Sequence, residues 1–463
     1  MRKHNISRRT LLKLMGAGAA ASVARVVPFK GFMPNVIHAQ GTTKIRWMTW
    51  GGGKSLKTML DSVTSNISDI GSLATIEVVD GGAGDQDVAA ALRLALASGQ
   101  NIPDVVQLNR TQVTEFAVAD ELMMLDDVYA PVKSDLYAGA LALVGYGDHQ
   151  VAFPFELKSK LFYYRADLFN KAGIDVTKIV TTDDFINAGK TLMDKIPTAR
   201  ILNLGPQPAS YWMGELVSAY PGATYFADKQ GKFSVTSNKG FAEGLGFLKS
   251  LLDAKITLPV DDWSSDWQPA IADGKIGSFL LANWLKFFLP GFAANQKGQW
   301  KVALWPQLMP LADQRYGSEA GGSVFIVPKR SPNAKLAAQV AGKIFLEAKG
   351  ALAAFAATGV TPLVKSARDQ VVEAAKNPKR PTGMADKDFA AQPSVFFGPD
   401  FMPLELQSYD YVKVLDYDPA ASKGLDILNQ WVGKVMSGSA DVKAALSGAE
   451  ADMKSQIGNP YQS

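Results

Sequence analysis

Short apolar runs alternate with helical patterns in the first part of the chain. Residues 44–50, 74–79 and 104–108 are rich in Ile and Val and predict three strands. Residues 55–70 and 85–98 carry apolar side chains at helical spacing and fill the gaps between the strands. Strands and helices that alternate in this way predict βαβ units, a largely parallel sheet and an α/β fold class.

Two later helices have marked starts. Ser331 precedes Pro332 and Asp418 precedes Pro419, and each pair predicts an N-cap followed by proline at the first helical position. Trp431 is expected on the buried side of the second helix. The apolar stripes that should face the core are Leu336, Val340 and Ile344 in the first helix and Leu425, Leu428, Val432 and Val435 in the second.

Length and composition narrow the classes of protein. The chain has 463 residues, and a single hydrophobic core stops growing near ~250–300 residues, so two domains are expected. The absence of cysteine excludes disulfides, thiolate metal sites, a cysteine nucleophile and a lipid-anchored amino-terminal cysteine. With only His4, His38 and His149 as histidines, we predict neither a metal nor a cofactor.

The positive charge is concentrated at the amino terminus. Residues 1–39 hold seven basic side chains and no acidic one. Subtracting them from 48 basic and 44 acidic residues leaves 41 and 44, so the formal charge changes from +4 to −3. The rest of the chain therefore gives no reason, in its bulk charge, to expect nucleic-acid binding.

The same segment has the three parts of an export signal. Residues 7–13, Ser-Arg-Arg-Thr-Leu-Leu-Lys, resemble the twin-arginine motif, with Leu11 in place of its aromatic residue. Residues 14–24 are small and apolar, too few for the roughly 20 that span a bilayer, and a cleavage site follows near Ala39. We predict a signal peptide over 1–39, passage through the Tat translocase and a soluble protein in a Gram-negative periplasm.

Several segments, taken in order, resemble the extracellular solute-binding proteins of ABC importers, in the large group that handles sugars. Landmarks of that family are matched by the first strand at 45–50, the Gly and Pro-Asp-Val segment at 96–105 and the aromatic run at 161–173. The likeness runs from about Lys44 to Ile457. Further matching segments are 152–154, 271–277 with 283–284, 321–323 and 437–446.

The resemblance implies a two-lobed fold of the type II-like periplasmic binding proteins, with a mainly parallel sheet flanked by helices in each lobe and a ligand cleft between the lobes. It places residues 42–152 plus 319–364 in the N-lobe and 153–318 plus 365–463 in the C-lobe. It also implies a monomer without enzymatic activity. Such a protein captures a sugar or sugar-derived solute and delivers it to the transmembrane subunits of an ABC permease.

Candidate ligand-binding residues come from two considerations. Ligands of open α/β sheets lie beyond the carboxyl ends of strands, and a sugar needs aromatic faces for stacking with polar groups around its rim. Trp284 and Tyr409 match positions where the family places ligand-contacting aromatics, although Ala282 replaces a glycine; Trp263 and Trp267 also lie in loops, and burial in a core is the ordinary alternative for each Trp. The candidates are Thr49, Trp50, Gly51, Gly52, Asp80, Asn109, Arg110, Glu156, Lys158, Tyr211, Trp212, Asn283, Trp284, Gly321, Gly322, Ser323 and Tyr409.

Two of these candidates are cations and bear on the charge of the ligand. Arg110 follows a strand, and Lys158 falls at a crossover where sugar binders often carry a carboxylate. Two cations indicate an anionic or substituted ligand, unless Glu156 neutralises one of them. Solvated loop charges are an equal alternative.

Catalytic signatures are largely missing. The Gly-Lys-Ser at 53–55 lacks the earlier glycine of a phosphate-binding loop, and His149 is the only histidine after residue 39 that could serve a Ser-His-Asp triad. A carbohydrate-active enzyme that uses a pair such as Asp261 and Asp262 is the second hypothesis. A binding protein for a non-sugar anionic solute is the third.

The export signal can be tested directly. Changing both Arg8 and Arg9 to lysine should leave an uncleaved precursor in the cytoplasm, because the translocase is expected to read the paired arginines, while the fold stays intact. Cell fractionation and immunoblotting give the result, with Arg25→Lys, outside the motif, as the control. Normal periplasmic accumulation of the double variant would exclude this route.

Overall fold

The computed structural model describes residues 43–206, 211–218, 226–304, 322–380, 385–412 and 414–462. The predicted signal peptide and Gly321 lie outside these residues. The strands in chain order are β1 (Thr43–Thr49), β2 (Ala74–Asp80), β3 (Val105–Asn109), β4 (Gly145–Tyr146), β5 (His149–Gln150), β6 (Ala152–Pro154), β7 (Lys160–Arg165), β8 (Leu202–Asn203), β9 (Thr257–Leu258), β10 (Ser278–Ala282), β11 (Trp300–Leu304) and β12 (Ser323–Ile326).

Helices surround these strands, and no described helix combines the length and apolarity that a membrane crossing needs. The α-helices are Lys54–Asn66, Ser68–Gly71, Asp85–Ser98, Arg110–Val118, Asp126–Tyr129, Ala138–Leu143, Ala166–Ala172, Thr182–Lys195, Tyr211–Ser218, Lys239–Asp253, Trp267–Ala272, Leu289–Phe292, Ala334–Phe345, Ala348–Thr358, Arg368–Lys376, Asp386–Ala390, Pro393–Phe396, Phe401–Ser408, Ala421–Met436 and Val442–Gln456. Short 3-10 segments are Gly51–Gly53, Lys133–Asp135, Val176–Lys178, Asn283–Phe287, Ala294–Gln296, Lys365–Ala367 and Tyr409–Tyr411.

The first sheet has the strand order β2-β1-β3-β12-β6. Strand β1 pairs in parallel with both β2 and β3, and the helices Lys54–Asn66 and Asp85–Ser98 connect these strands, which confirms the predicted βαβ units. Strand β12 arrives from much later in the chain and pairs antiparallel with β3 and β6. Strand β6 is the last strand of this sheet and lies next to β12.

The second sheet differs from the mainly parallel sheet that was expected. Strand β7 lies at its centre and pairs antiparallel with β10 and β11. Strands β10 and β11 therefore point the same way, and residues 283–299 form the crossover between them, since parallel strands cannot be joined by a tight turn. Within the described part of this lobe, parallel pairing occurs at the side of the sheet, between Arg200 and Ile276 and between β8 and β9.

Both predicted helix starts lie two residues too early. The helix Ala334–Phe345 has Asn333 as its N-cap, because the hydroxyl of Ser331 instead donates to Asp104. The helix Ala421–Met436 follows a buried Asp418, whose carboxylate accepts from the backbone N–H groups of Ala420 and Ala227. Burial raises the pKa of this carboxyl to about 6. These side chains thus hold the turns before the helices to the rest of the fold.

The position of Trp431 also differs from the prediction. Its ring is only partly buried, with the indole N–H donating to Asp452 at 2.8 Å and the Lys434 ammonium 3.3 Å from the ring centroid. Leu425 is partly buried. The other predicted stripe residues of this helix, Leu428, Val432 and Val435, are buried in the core.

A buried ion pair lies where the chain passes between the sheets. The Lys286 ammonium is 2.7 Å from the Glu405 carboxylate and 2.7 Å from the Thr361 hydroxyl, and the Lys and Glu side chains are 2% and 0% exposed. The Asn283 amide donates to the same carboxylate at 2.6 Å, and the Tyr409 hydroxyl donates to it at 3.1 Å. We call these five residues the buried polar network.

Removing the negative charge of this network should destabilise the fold strongly. Glu405→Gln leaves the Lys286 ammonium buried without its counter-charge, at an expected cost of about 3–5 kcal/mol in the free energy of unfolding. Denaturant unfolding measures this, and adding Lys286→Met should recover part of the loss. Glu373→Gln, which breaks the exposed pair with Lys376, is the control and should change little. Equal losses of unfolding free energy in Glu405→Gln and Glu373→Gln would contradict a stabilising role for the buried ion pair.

Candidate functional site

A cleft of about 760 Å³ lies where the two sheets approach each other. The first sheet and its helices contribute Thr49, Trp50, Gly51, Gly53, Lys54, Ser55, Leu56, Asp85, Gln86, Gln107, Asn109, Thr111 and Ser323. The connecting segments contribute Phe155, Glu156, Lys158, Thr358 and Val360. The side of the second sheet contributes Trp263, Trp284, Phe287 and Phe288, and the C-terminal part of the chain contributes Tyr417, Ser422, Leu425 and Asp426.

The ends of β1 and β3 form the floor of the cleft, since parallel neighbours bring their carboxyl ends to one edge of the sheet. The Thr49 hydroxyl donates to the Gln107 amide oxygen at 2.5 Å, and both side chains are almost fully buried. The loop after β1 requires glycine at Gly53, where φ is +65° and a Cβ would lie 2.6 Å from Val78. The floor is therefore polar and its backbone closely packed.

Eight of the candidate residues come together in the cleft. They are contributed by the ends of β1, β3 and β12, by the connection after β6 and by the 3-10 segment after β10. Their role in ligand binding stays a prediction. They are Thr49, Trp50, Gly51, Asn109, Glu156, Lys158, Trp284 and Ser323.

Arg110 does not line the cleft. This residue begins the helix Arg110–Val118. Its side chain is 3% exposed and donates to the Thr114 hydroxyl at 3.2 Å and to the Gly145 carbonyl at 3.1 Å. Its backbone N–H donates to the carbonyl of Gly322, which is likewise outside the lining. The guanidinium therefore stabilises the fold, and of these two predicted cations Lys158 alone lines the cleft.

Two further loop residues, Gly52 and Asp80, also stay outside the lining. Asp80 is exposed, and its carboxylate accepts from the backbone N–H of Gly82 at 3.1 Å. Asp80, at the end of β2, therefore does not reach the cleft. Asp85 and Gln86, in the first turn of the next helix, line it instead.

Three predicted polar and aromatic contacts are buried elsewhere. Trp212 is 2% exposed, and its indole N–H donates to Asp262 at 3.0 Å. Asn283 and Tyr409 belong to the buried polar network, because both donate hydrogen bonds to Glu405. Trp267, which was also expected in a loop, begins the helix Trp267–Ala272 and is fully buried. Tyr211 begins a helix, but its side chain lies outside the described part of the chain, as does Gly321.

Acidic side chains outnumber basic ones in the lining. Desolvation raises the pKa of Asp85, although the charge of Lys158 opposes this shift. Desolvation also raises the pKa of Asp426, and the negative charge of Asp85 raises it further. The Lys158 ammonium is 3.9 Å from the Glu156 carboxylate. With Lys54 as the other lining cation, these charges favour a neutral ligand over an anion.

Aromatic rings form the wall on the side of the second sheet. Trp284 is partly buried in the 3-10 segment Asn283–Phe287, directly after β10. The Trp263 ring stacks on it with centroids 5.5 Å apart and planes 29° apart, and Phe288 meets Trp263 edge-on at 5.0 Å. Such a wall can stack on the apolar face of a ring-shaped ligand. Among the described residues, no three His, Asp or Glu side chains form a group that could hold a metal ion.

Some lining residues were missed from the sequence. Gln107 lies inside β3 and Asp85 in the first helical turn, so a rule that considers only loops after strands passes over both. Phe288 directly follows the 3-10 segment that carries Trp284, and its place four residues after Trp284 in the sequence was the available signal. No local motif marks Tyr417 or Asp426, which reach the cleft only through the tertiary fold.

Comparison with known proteins agrees with this architecture. Residues 71–382 match the model of the family described as bacterial extracellular solute-binding protein. The chain belongs to this family. The predicted two-lobed α/β fold is also confirmed by solved structures of solute-binding proteins.

Two solved structures illustrate the likeness of this solute-binding protein to others. One is the galacto-N-biose-/lacto-N-biose I-binding protein of the ABC transporter from Bifidobacterium longum, in complex with lacto-N-biose. It has a TM-score of 0.72 and 20% identity, with 92% of this chain and 100% of that chain covered. The other is the ABC transporter associated binding protein from B. animalis subsp. lactis Bl-04, in complex with beta-1,6-galactobiose. It has a TM-score of 0.70 and 23% identity, with 90% and 99% covered.

Sequence relatives of this solute-binding protein include two arabinooligosaccharide-binding proteins. The protein from Bacillus subtilis is 22% identical over 258 residues, which cover 53% of this chain and 56% of the relative. The protein from Halalkalibacterium halodurans is 24% identical over 198 residues, which cover 42% and 43%. The match thus spans about half the length of the curated relatives.

Trp284 gives a direct test of the cleft. Trp284→Ala removes an aromatic face and its contact area, so saccharide affinity should fall by about tenfold or more, with only a moderate loss of stability because the ring is partly exposed. Isothermal titration and thermal melting measure the two effects. Trp431→Ala, at a partly buried ring outside the cleft, is the matched control. Undiminished affinity in folded Trp284→Ala protein would show that the site lies elsewhere.

Proposed function

We propose that this solute-binding protein captures a sugar or sugar-derived solute in the cleft and delivers it to the transmembrane subunits of an ABC permease. The observation that carries the proposal is the pairing of a polar floor, with Thr49 and Gln107, and an aromatic wall, with Trp284. A sugar ring presents an apolar face and a rim of hydroxyl groups, and these two surfaces complement it.

The relatives support the same class of ligand. Both curated relatives are named for arabinooligosaccharides, and two solved neighbours hold disaccharides. The lining charges also suit a neutral ligand better than an anionic one, because three carboxylates face two ammonium groups. A sugar is therefore preferred over a non-sugar anion.

A binding role is preferred over glycan hydrolysis. Of the acidic pair considered for an enzyme, neither Asp261 nor Asp262 lines the cleft. The Asp262 carboxylate instead accepts from the Asn203 amide at 2.7 Å and from the Trp212 indole at 3.0 Å. These bonds hold a turn in place and direct the carboxylate toward buried donor side chains.

Ligand capture would use motion of two lobes. We assign residues 42–152 plus 319–364 to one lobe and 153–318 plus 365–463 to the other, with a ligand that contacts both lobes favouring the closed arrangement. Export would follow the twin-arginine signal at 7–13, with cleavage near Ala39. The working protein is then a soluble monomer in the periplasm of a Gram-negative cell.

A thermal-shift screen tests this function. The probes are maltose, beta-1,6-galactobiose, lacto-N-biose and arabinotriose, with their monosaccharides and galacturonic acid beside them. A ligand at ~100 times its dissociation constant adds about 2.7 kcal/mol of stability, so a bound saccharide should raise the melting temperature clearly. Failure of every saccharide to shift melting would contradict the proposal. Release of products from a glycan, measured by chromatography, would favour an enzyme instead.

A further inference from the structure

Trp263 has a backbone conformation that bulky residues avoid. Its φ is +66°, in the left-handed region. It is the third residue of a turn closed by the Ser264 N–H donating to the Asp261 carbonyl at 3.2 Å. With a positive φ, this turn position ordinarily carries Gly or Asn, because a side chain is strained there. A tryptophan at this point needs a reason other than turn formation.

The surrounding structure keeps the turn in place. The Asp262 carboxylate, next to Trp263, accepts from the Asn203 amide at 2.7 Å and from the Trp212 indole N–H at 3.0 Å. Both donor side chains are 2% exposed, so the anchors belong to the protein interior. Strained residues persist where neighbouring groups determine the conformation in this way, and they are concentrated at functional sites.

The indole of Trp263 lies at the outer end of the cleft. Exposure among the lining residues rises from 3% at Thr49 and 6% at Gln107 on the floor to 47% at Trp263. The ring is supported from behind by Trp284 at 5.5 Å and by the buried Trp267 at 4.9 Å between centroids. It is therefore a fixed aromatic surface that is half open to solvent.

Exposed apolar side chains concentrate at this place. Among the described residues six large hydrophobic side chains are exposed, and three of them, Trp263, Phe287 and Phe288, line the outer cleft. Single exposed apolar residues are ordinary, but a contiguous group beside a cleft is typical of a binding surface. The group extends the aromatic wall beyond Trp284.

We propose that Trp263 is the platform for a second sugar ring, outside the ring that binds against Trp284, so that the protein selects an oligosaccharide over its monosaccharide. This inference rests on the proposed function, which supplies the sugar. The exposed indole has an unfavourable contact with water in the empty protein, and a ligand that covers the indole recovers this cost. Stacking of a second sugar ring on Trp263 thus adds affinity for an oligosaccharide that a monosaccharide cannot gain.

Trp263→Gly tests the platform. Glycine adopts the positive φ without strain, and this offsets part of the packing lost with the half-exposed indole, so the melting temperature without sugar should fall only slightly. Affinity for a disaccharide or trisaccharide should fall about tenfold, because the stacking face is lost, while affinity for the monosaccharide should be unchanged. Isothermal titration uses the pairs maltose and glucose, beta-1,6-galactobiose and galactose, and arabinotriose and arabinose. Trp263→Tyr, which keeps an aromatic face, should restore most of the lost affinity.

Lys255→Gly is the matched control. Lys255 also has a positive φ, +57°, but is outside the lining, so its change should leave both affinities unaltered. Equal losses for oligomer and monomer in Trp263→Gly, or no loss at all, would overturn the inference while leaving the proposed function intact. A large drop in its melting temperature would assign Trp263 a packing role instead. Absence of binding of any probe to the wild type would overturn both.

Discussion

The ion pair between Lys286 and Glu405 is the constraint on which the arrangement around the cleft depends. Burying two charges is costly, and it succeeds here because Thr361, Asn283 and Tyr409 supply further hydrogen bonds to the same groups. The pair joins segments that lie more than a hundred residues apart in sequence. Glu405 also accepts from Asn283, so the 3-10 segment that carries Trp284 is bound to this carboxylate at two of its residues.

The cleft combines two kinds of rigidity. On the floor, Thr49 and Gln107 are tied to each other and to strands whose pairing is parallel and buried. On the wall, aromatic rings support one another and are backed by a fully buried Trp267. A site preorganised in this way loses little conformational entropy when a ligand binds.

The parts that could be predicted from the sequence are those determined by local pattern. The first three strands and their two helices follow from periodicity alone, and Thr49 and Asn109 reach the cleft because they end parallel strands. Arg110 and Tyr409 could not be placed, since their directions depend on partners distant in sequence, such as Gly145 and Glu405. The antiparallel second sheet and the cleft contribution of the helix Ala421–Met436 likewise arise from tertiary packing and leave no local signal.

The place of β12 in the first sheet has a consequence for the order of synthesis. This strand lies between β3 and β6, although it is made long after both. Until it emerges, β3 and β6 each present an unpaired edge, the kind of surface that joins other chains. Completion of the first sheet must wait for a non-local contact, which slows folding. During synthesis the first sheet of this protein therefore lacks the strand between β3 and β6 until residues 323–326 have been made. Chaperones that cover exposed strand edges would protect the growing chain from aggregation in this interval.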